Sequence, residues 1–119
     1  MGAPETVPAG EYARQSLTKL DVWDKVKDKA VLGKDVQTVA SYVESGNVDA
    51  GIVFASVVMN NNNIKIVAEA PAGTHENIVF SGVVLAGTQH TKEAEQFFAF
   101  LVSPEAKRIF EKYGFNTVN

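Results

Sequence analysis

The sequence predicts an α/β domain built on a mostly parallel sheet. Three observations carry that expectation. Apolar runs rich in β-branched residues alternate with stretches whose apolar residues recur every three or four positions. Glycine or proline stands at most of the junctions. The 119 residues suffice for one compact domain and are too few for two ordinary ones.

Residues 10–20 read as a helix, with Ala13, Leu17 and Leu20 at i, i+4 and i+7. Val22 and Trp23 form an apolar knot ahead of the charged run DKVKDK. Residues 30–32 are a short strand candidate bounded by Gly33. Asp35 is placed to cap a second helix whose stripe is Val36, Val39, Ala40 and Val43, with Gly46 closing it. Residues 50–58 are almost continuously apolar and predict a strand buried on both faces, at least over 51–54. The four asparagines 60–63 make a turn, residues 64–70 alternate as a half-wet strand, 71–77 form a loop, and 78–87 read as another strand. The last third is helical: Ala94, Phe97, Phe98 and Leu101, then Ala106, Ile109, Phe110 and Tyr113. Ser103 is the N-cap and Pro104 the first residue of the final helix, which Gly114 ends. The second PAG, at residues 71–73, precedes a strand and does not repeat the first.

The composition narrows function. A net charge of −3 argues against a nucleic-acid module, which usually presents a basic face. Without cysteine there are no disulfides, thiolate metal sites or cysteine nucleophiles. No run approaches the roughly 18 apolar residues of a membrane span, and the opening MGAPETVPAG has no basic or apolar region of an export signal. His75 and His90 lie in polar loops without clustered acids, which argues against a metal site. Asp21, Asp24 and Asp28 alternate with lysines as a solvated charge pattern. The serines lack a G-x-S-x-G setting, and neither a P-loop nor G-x-G-x-x-G occurs. An enzyme, with or without a cofactor, finds no support.

Two helix starts, residues 7–10 and 34–37, attract a chemical reading. Each leaves N–H groups without intrahelical partners at the positive end of a helix dipole, a ready anion site, and Gly10 would let a ligand approach the backbone. Every helix has such an end, and most are capped by water or side chains. Phe54 ends an apolar run where ligands gather in open α/β sheets, although a core role is the commoner one.

The segments PETVPAGEYARQSL, DVWDKVKDKAVLGKDVQTVASYVESGNVDAGIVF and SPEAKRIFEKYGF, in that order and spacing, resemble the C-terminal half of the periplasmic molybdate-binding proteins (ModA type) of ABC importers. The resemblance implies one lobe of a type II periplasmic-binding-protein fold, truncated at the N-terminus. The second lobe would span about residues 1–90, and a helical segment of about 91–119 would return to the first lobe. It implies molybdate or tungstate as ligand, a membrane permease as partner, and a periplasmic or membrane-anchored extracellular parent. In the family the second lobe gives N–H donors at two helix starts and a tyrosine hydroxyl. Matched motif to motif, the donors fall on Ala9 in VPAG and Val36 in KDVQ, while the tyrosine position, following GIV, is Phe54. The first lobe and its two serine-bearing ligand loops are absent, and the strand ahead of APETVPAG is expected to be missing. Apolar faces left uncovered by that absence imply association, including a homodimer through the C-terminal helices, or redocking of those helices. A ligand-sensing domain of a transcription regulator is the alternative, since such proteins reuse the fold. A further reading is that the isolated piece binds nothing measurable.

Overall fold

The computed structural model describes residues 1–117, which fall into two compact units, one of residues 1–77 and one from residue 78 onward. The first holds α1 (Pro8–Lys19), α2 (Trp23–Val26), a 3-10 turn (Lys27–Lys29), α3 (Val36–Glu44) and α4 (Ala55–Val58). The second holds α5 (Thr91–Leu101) and α6 (Pro104–Lys112).

The helices end where local chemistry predicts. At the end of α3, Gly46 takes φ +71°, its N–H donates to the Val43 carbonyl, and the Asn47 N–H donates to that of Tyr42. This is the Schellman pattern, which satisfies two orphan carbonyls. Gly114 does the same for α6 at φ +82°, with Phe115 donating to Phe110. At the end of α1 the left-handed position falls on Asp21, at φ +56°, while Val22 donates to Leu17. A side chain there is strained, whereas glycine is not. Asp21→Gly is therefore expected to raise stability by about 0.5–1 kcal/mol, read as a higher midpoint in urea unfolding with an unchanged slope.

The starts are equally legible. Asp35 accepts a 2.7 Å hydrogen bond from the Thr38 N–H, and Ser103 accepts one from Ala106. The Thr38 bond holds the Asp35 carboxyl below its ordinary value of 3.8. Its folded-state value is thus lower than its unfolded one. The capping contribution is complete above about 3.8 and is lost as pH falls through the folded value. Asp35→Asn keeps a capping oxygen that does not titrate, so its acid-unfolding limb is expected to be flatter than that of the native chain.

The sheet is where the structure departs from expectation. Among the described residues the β pairing is confined to a parallel bridge between Gly2 and Gly33. Three hydrogen bonds build it: Met1 N to Val31 O at 2.9 Å, Gly33 N to Met1 O at 2.9 Å, and Ala3 N to Gly33 O at 3.0 Å. Residues 1–3 thus make an isolated bridge with residues 31–33 and no strand. Residues 64–70 and 78–87 carry β-branched side chains but form no ladder, and Val67 and Val79 are exposed. β-Branching favours extended geometry, while a strand also needs a neighbour to exchange N–H and C=O groups. The run 50–58 is not one buried strand either. Residues 50–54 are irregular, exposed over 50–52 and half-buried at 53 and 54, and α4 begins directly after Phe54. A short apolar run does not by its periodicity tell a helix from a strand.

Val39, 1% exposed, is the centre of the first unit. A Cβ added at Gly33 would come within 2.8 Å of one Val39 methyl, and one added at Gly51 would lie 3.0 Å from the other. The residues before α3 and those before α4 therefore close on the same side chain. The loop 71–76 docks on α1: the Glu76 N–H donates to Gln15 Oε1 at 2.9 Å, and Thr74 Oγ1 lies 3.1 Å from Ser16 Oγ and 2.7 Å from the Pro71 carbonyl. One hydroxyl proton serves one acceptor, so Ser16 donates to Thr74 and Thr74 to Pro71. That relay satisfies the buried Ser16.

In the second unit, Ala106 is buried and Phe115 meets Phe80 and Phe110 edge-on, with ring centroids 5.8 and 6.1 Å apart. Much apolar surface remains open, including Phe97 at 62% and Val102 at 79% exposure.

Candidate functional site

The three residues singled out from the sequence lie in one unit, each at the start of a helix. Ala9 is the second residue of α1, Val36 is the first of α3, and Phe54 is the N-cap of α4. The parallel pairing fixes how the first two relate. Residues 1–3 and 31–33 run the same way side by side, so the chain leaves both from one edge. Residues 4–7 lead from that edge into α1, and residues 34–35 lead into α3. Both helices thus begin on the same side of that bridge.

Hydrogen-bond accounting sharpens this. Around the start of α1, Thr6 and Val7 donate to the Ala3 carbonyl, and Gly10 and Glu11 donate to that of Val7. No side chain caps the helix, Pro8 has no N–H, and the Ala9 N–H finds no acceptor among the described residues. Ala9 is nonetheless 4% exposed. Buried backbone donors are rarely left unpaired. At α3, Asp35 takes the Thr38 N–H, and the Val36 N–H has no acceptor among the described residues.

Gly10 has a different reason from the one expected. Its backbone is covered by residues 2 and 3, and an added Cβ would overlap the Gly2 carbonyl oxygen. The glycine is required by the chain itself and does not open the backbone to a ligand.

Phe54 stands beside Tyr12, with ring centroids 6.5 Å apart, and Tyr12 also meets the His75 ring at 5.9 Å. Sequence reading passed over Tyr12. The available signal was its position one turn after Ala9, which places it on the same side of α1. His75 Nδ1 lies 2.7 Å from the Glu76 carbonyl, so in the neutral ring that nitrogen is the donor. His90 is in the other unit, and no group of three or more His, Asp or Glu side chains among the described residues is arranged to hold a metal. No helix is long and apolar enough to cross a membrane among those residues. A concavity of the first unit, lined by Arg14, Thr18, Trp23 and Thr74 among others, follows the later turns of α1 and not the helix starts, and it is an open groove.

The start of α1, which no side chain caps, and the start of α3, where Asp35 caps through the Thr38 N–H, each keep one N–H group without an acceptor among the described residues. The chain belongs to the bacterial extracellular solute-binding protein family, whose model matches residues 1–116. It is 54% identical over 97% of its length to the "Putative ABC transporter substrate-binding lipoprotein YvgL" of Bacillus subtilis (strain 168), covering 44% of that protein. It is 37% identical to the molybdate-binding protein ModA of Haemophilus influenzae (strain ATCC 51907 / DSM 11121 / KW20 / Rd), over 98% of this chain and 45% of the relative. Among solved structures it matches the "substrate binding domain of putative molybdenum ABC transporter from Clostridium difficile" with a TM-score of 0.86 and 41% identity, over 99% of this chain and 52% of the other. The chain thus spans about half the length of the relatives it matches.

Proposed function

We propose that this chain is part of the substrate-binding component of an ABC importer, and that its first unit supplies half of a site for molybdate or tungstate. The observation that carries the reading is the pair of unclaimed N–H groups, Ala9 and Val36, at helix starts on one edge of a parallel pairing. The molybdate-binding relative supports the choice of ligand. A tetrahedral dianion is held well by neutral dipoles aimed at its oxygens, without a buried counter-charge. Because both groups only donate, a fully deprotonated oxyanion suits them. Phe54 forms a wall beside the site and gives no hydrogen bond from its ring, so the half-site relies on main chain.

On this reading residues of about 1–90 make one lobe of a two-lobed binding protein, and about 91–119 return to the other. The parent is periplasmic or anchored outside the membrane and delivers its ligand to a permease. Exposed Phe97 and Val102 are then covered by the missing lobe or, in the isolated chain, by a second copy. A dimer in light scattering is the expected state of the isolated chain, and a monomer at high concentration would exclude the second copy. No relative named above is a regulator, so the sensing-domain alternative gains nothing.

Equilibrium dialysis tests the ligand. Retention of molybdate and tungstate that excess sulfate does not displace is the expected result. Equal competition by sulfate would remove the molybdate assignment, and no retention at millimolar anion would remove binding by this chain alone.

A further inference from the structure

We infer that Asp35 is a built-in charge brake on the anion site, setting how tightly an oxyanion is held at the start of α3. The inference rests on the oxyanion reading above and adds a residue that reading does not use.

Its ground is the hydrogen-bonding at one helix mouth. Asp35 is the N-cap, in extended backbone at φ −159° and ψ 171°, and its carboxylate bonds the Thr38 N–H at 2.7 Å. That bond anchors a negative charge over the first turn. The Val36 N–H, one residue on, belongs to the same turn and has no acceptor among the described residues. An oxyanion bound by Val36 therefore shares the helix mouth with a carboxylate, at a separation on the order of 5 Å for groups serving neighbouring donors of one turn. The Thr38 hydrogen bond also lowers the carboxyl's affinity for a proton, so the charge persists at neutral pH. Lys34 opposes it from the preceding position; both charges are reached by solvent, so salt screens both, and the carboxylate differs in being held over the first turn by the Thr38 N–H.

The arrangement has a signature that a purely structural cap lacks. Coulomb repulsion scales with ligand charge, so removing the carboxylate charge helps a dianion by the square of the factor by which it helps a monoanion of the same shape. Asparagine caps helices as well as aspartate does, so Asp35→Asn removes the charge and keeps an oxygen for Thr38.

The experiment measures binding of molybdate and perrhenate, a dianion and a monoanion of like tetrahedral shape, to the native chain and to D35N. Amide shifts at Ala9 and Val36 are followed. In low salt, D35N is expected to bind molybdate roughly tenfold tighter and perrhenate about threefold tighter, with both gains fading toward none in 1 M salt. Unchanged or weaker molybdate binding overturns the inference, as does a gain that is insensitive to salt or equal for the two anions. In each of those cases the native amide shifts leave the oxyanion reading standing. If perrhenate binds neither protein, the salt series on molybdate decides. If molybdate moves neither amide in either protein, the reading and the inference fall together.

Discussion

Gly10→Ala is expected to destabilise the first unit by about 3 kcal/mol, at the upper end of the usual cost of overpacking. The reason is that the obstacle is backbone. The new methyl would overlap the Gly2 carbonyl oxygen and come within 3.0 Å of the Ala3 carbonyl carbon. A crowded side chain escapes by changing rotamer, and a carbonyl held in a pairing does not. Relief requires residues 1–3 to move away from α1, which strains the Gly33 N–H to Met1 and Ala3 N–H to Gly33 hydrogen bonds. The edge that brings the two helix starts together would loosen with them. Gly87 is the control: a Cβ there meets nothing, and its φ is not in the left-handed region. Gly87→Ala is expected to stay within about 0.5 kcal/mol of the native chain. Urea unfolding of both variants makes the comparison, and equal midpoints would refute this account of Gly10.

The second large effect is on binding without a matching effect on fold. Val36→Pro is expected to weaken molybdate binding by about tenfold to a hundredfold, the cost of one lost bond to a charged ligand. Helicity and unfolding midpoint should change little. Val36 is the first residue of α3, where a helix N–H has no intrahelical partner and proline is favoured. The preceding Asp35 is already in the extended conformation that a following proline demands. The substitution thus deletes the one donor in question while the helix geometry accepts the ring. Dialysis against circular dichroism separates the outcomes. Affinity preserved in a folded V36P protein would show that the Val36 N–H holds no ligand.

The sequence was most readable where structure is local. Asp35, Gly46, Ser103 with Pro104, and Gly114 each act within one turn, and the structure uses all of them as their chemistry predicts. Strands are relational, and here reading stopped short. Nothing within 78–87 states whether a neighbour exists to pair with it, and the pairing observed among the described residues is a single bridge between Gly2 and Gly33. Gly10 was misread for the same reason, since what requires it is a carbonyl eight positions earlier. Of the site, the helix starts were visible from caps and turns, but their placement on one edge comes from the Gly2–Gly33 bridge. Tyr12 joins Phe54 and His75 through contacts that no local pattern announces.

The measurement that bears most directly on the central claim is a backbone-amide NMR titration of the native chain with molybdate, with sulfate as the control. The Ala9 and Val36 resonances are expected to move together, saturate at a common concentration and respond far less to sulfate. Independent movement of the two, or no movement at millimolar molybdate, would contradict a shared half-site on this chain.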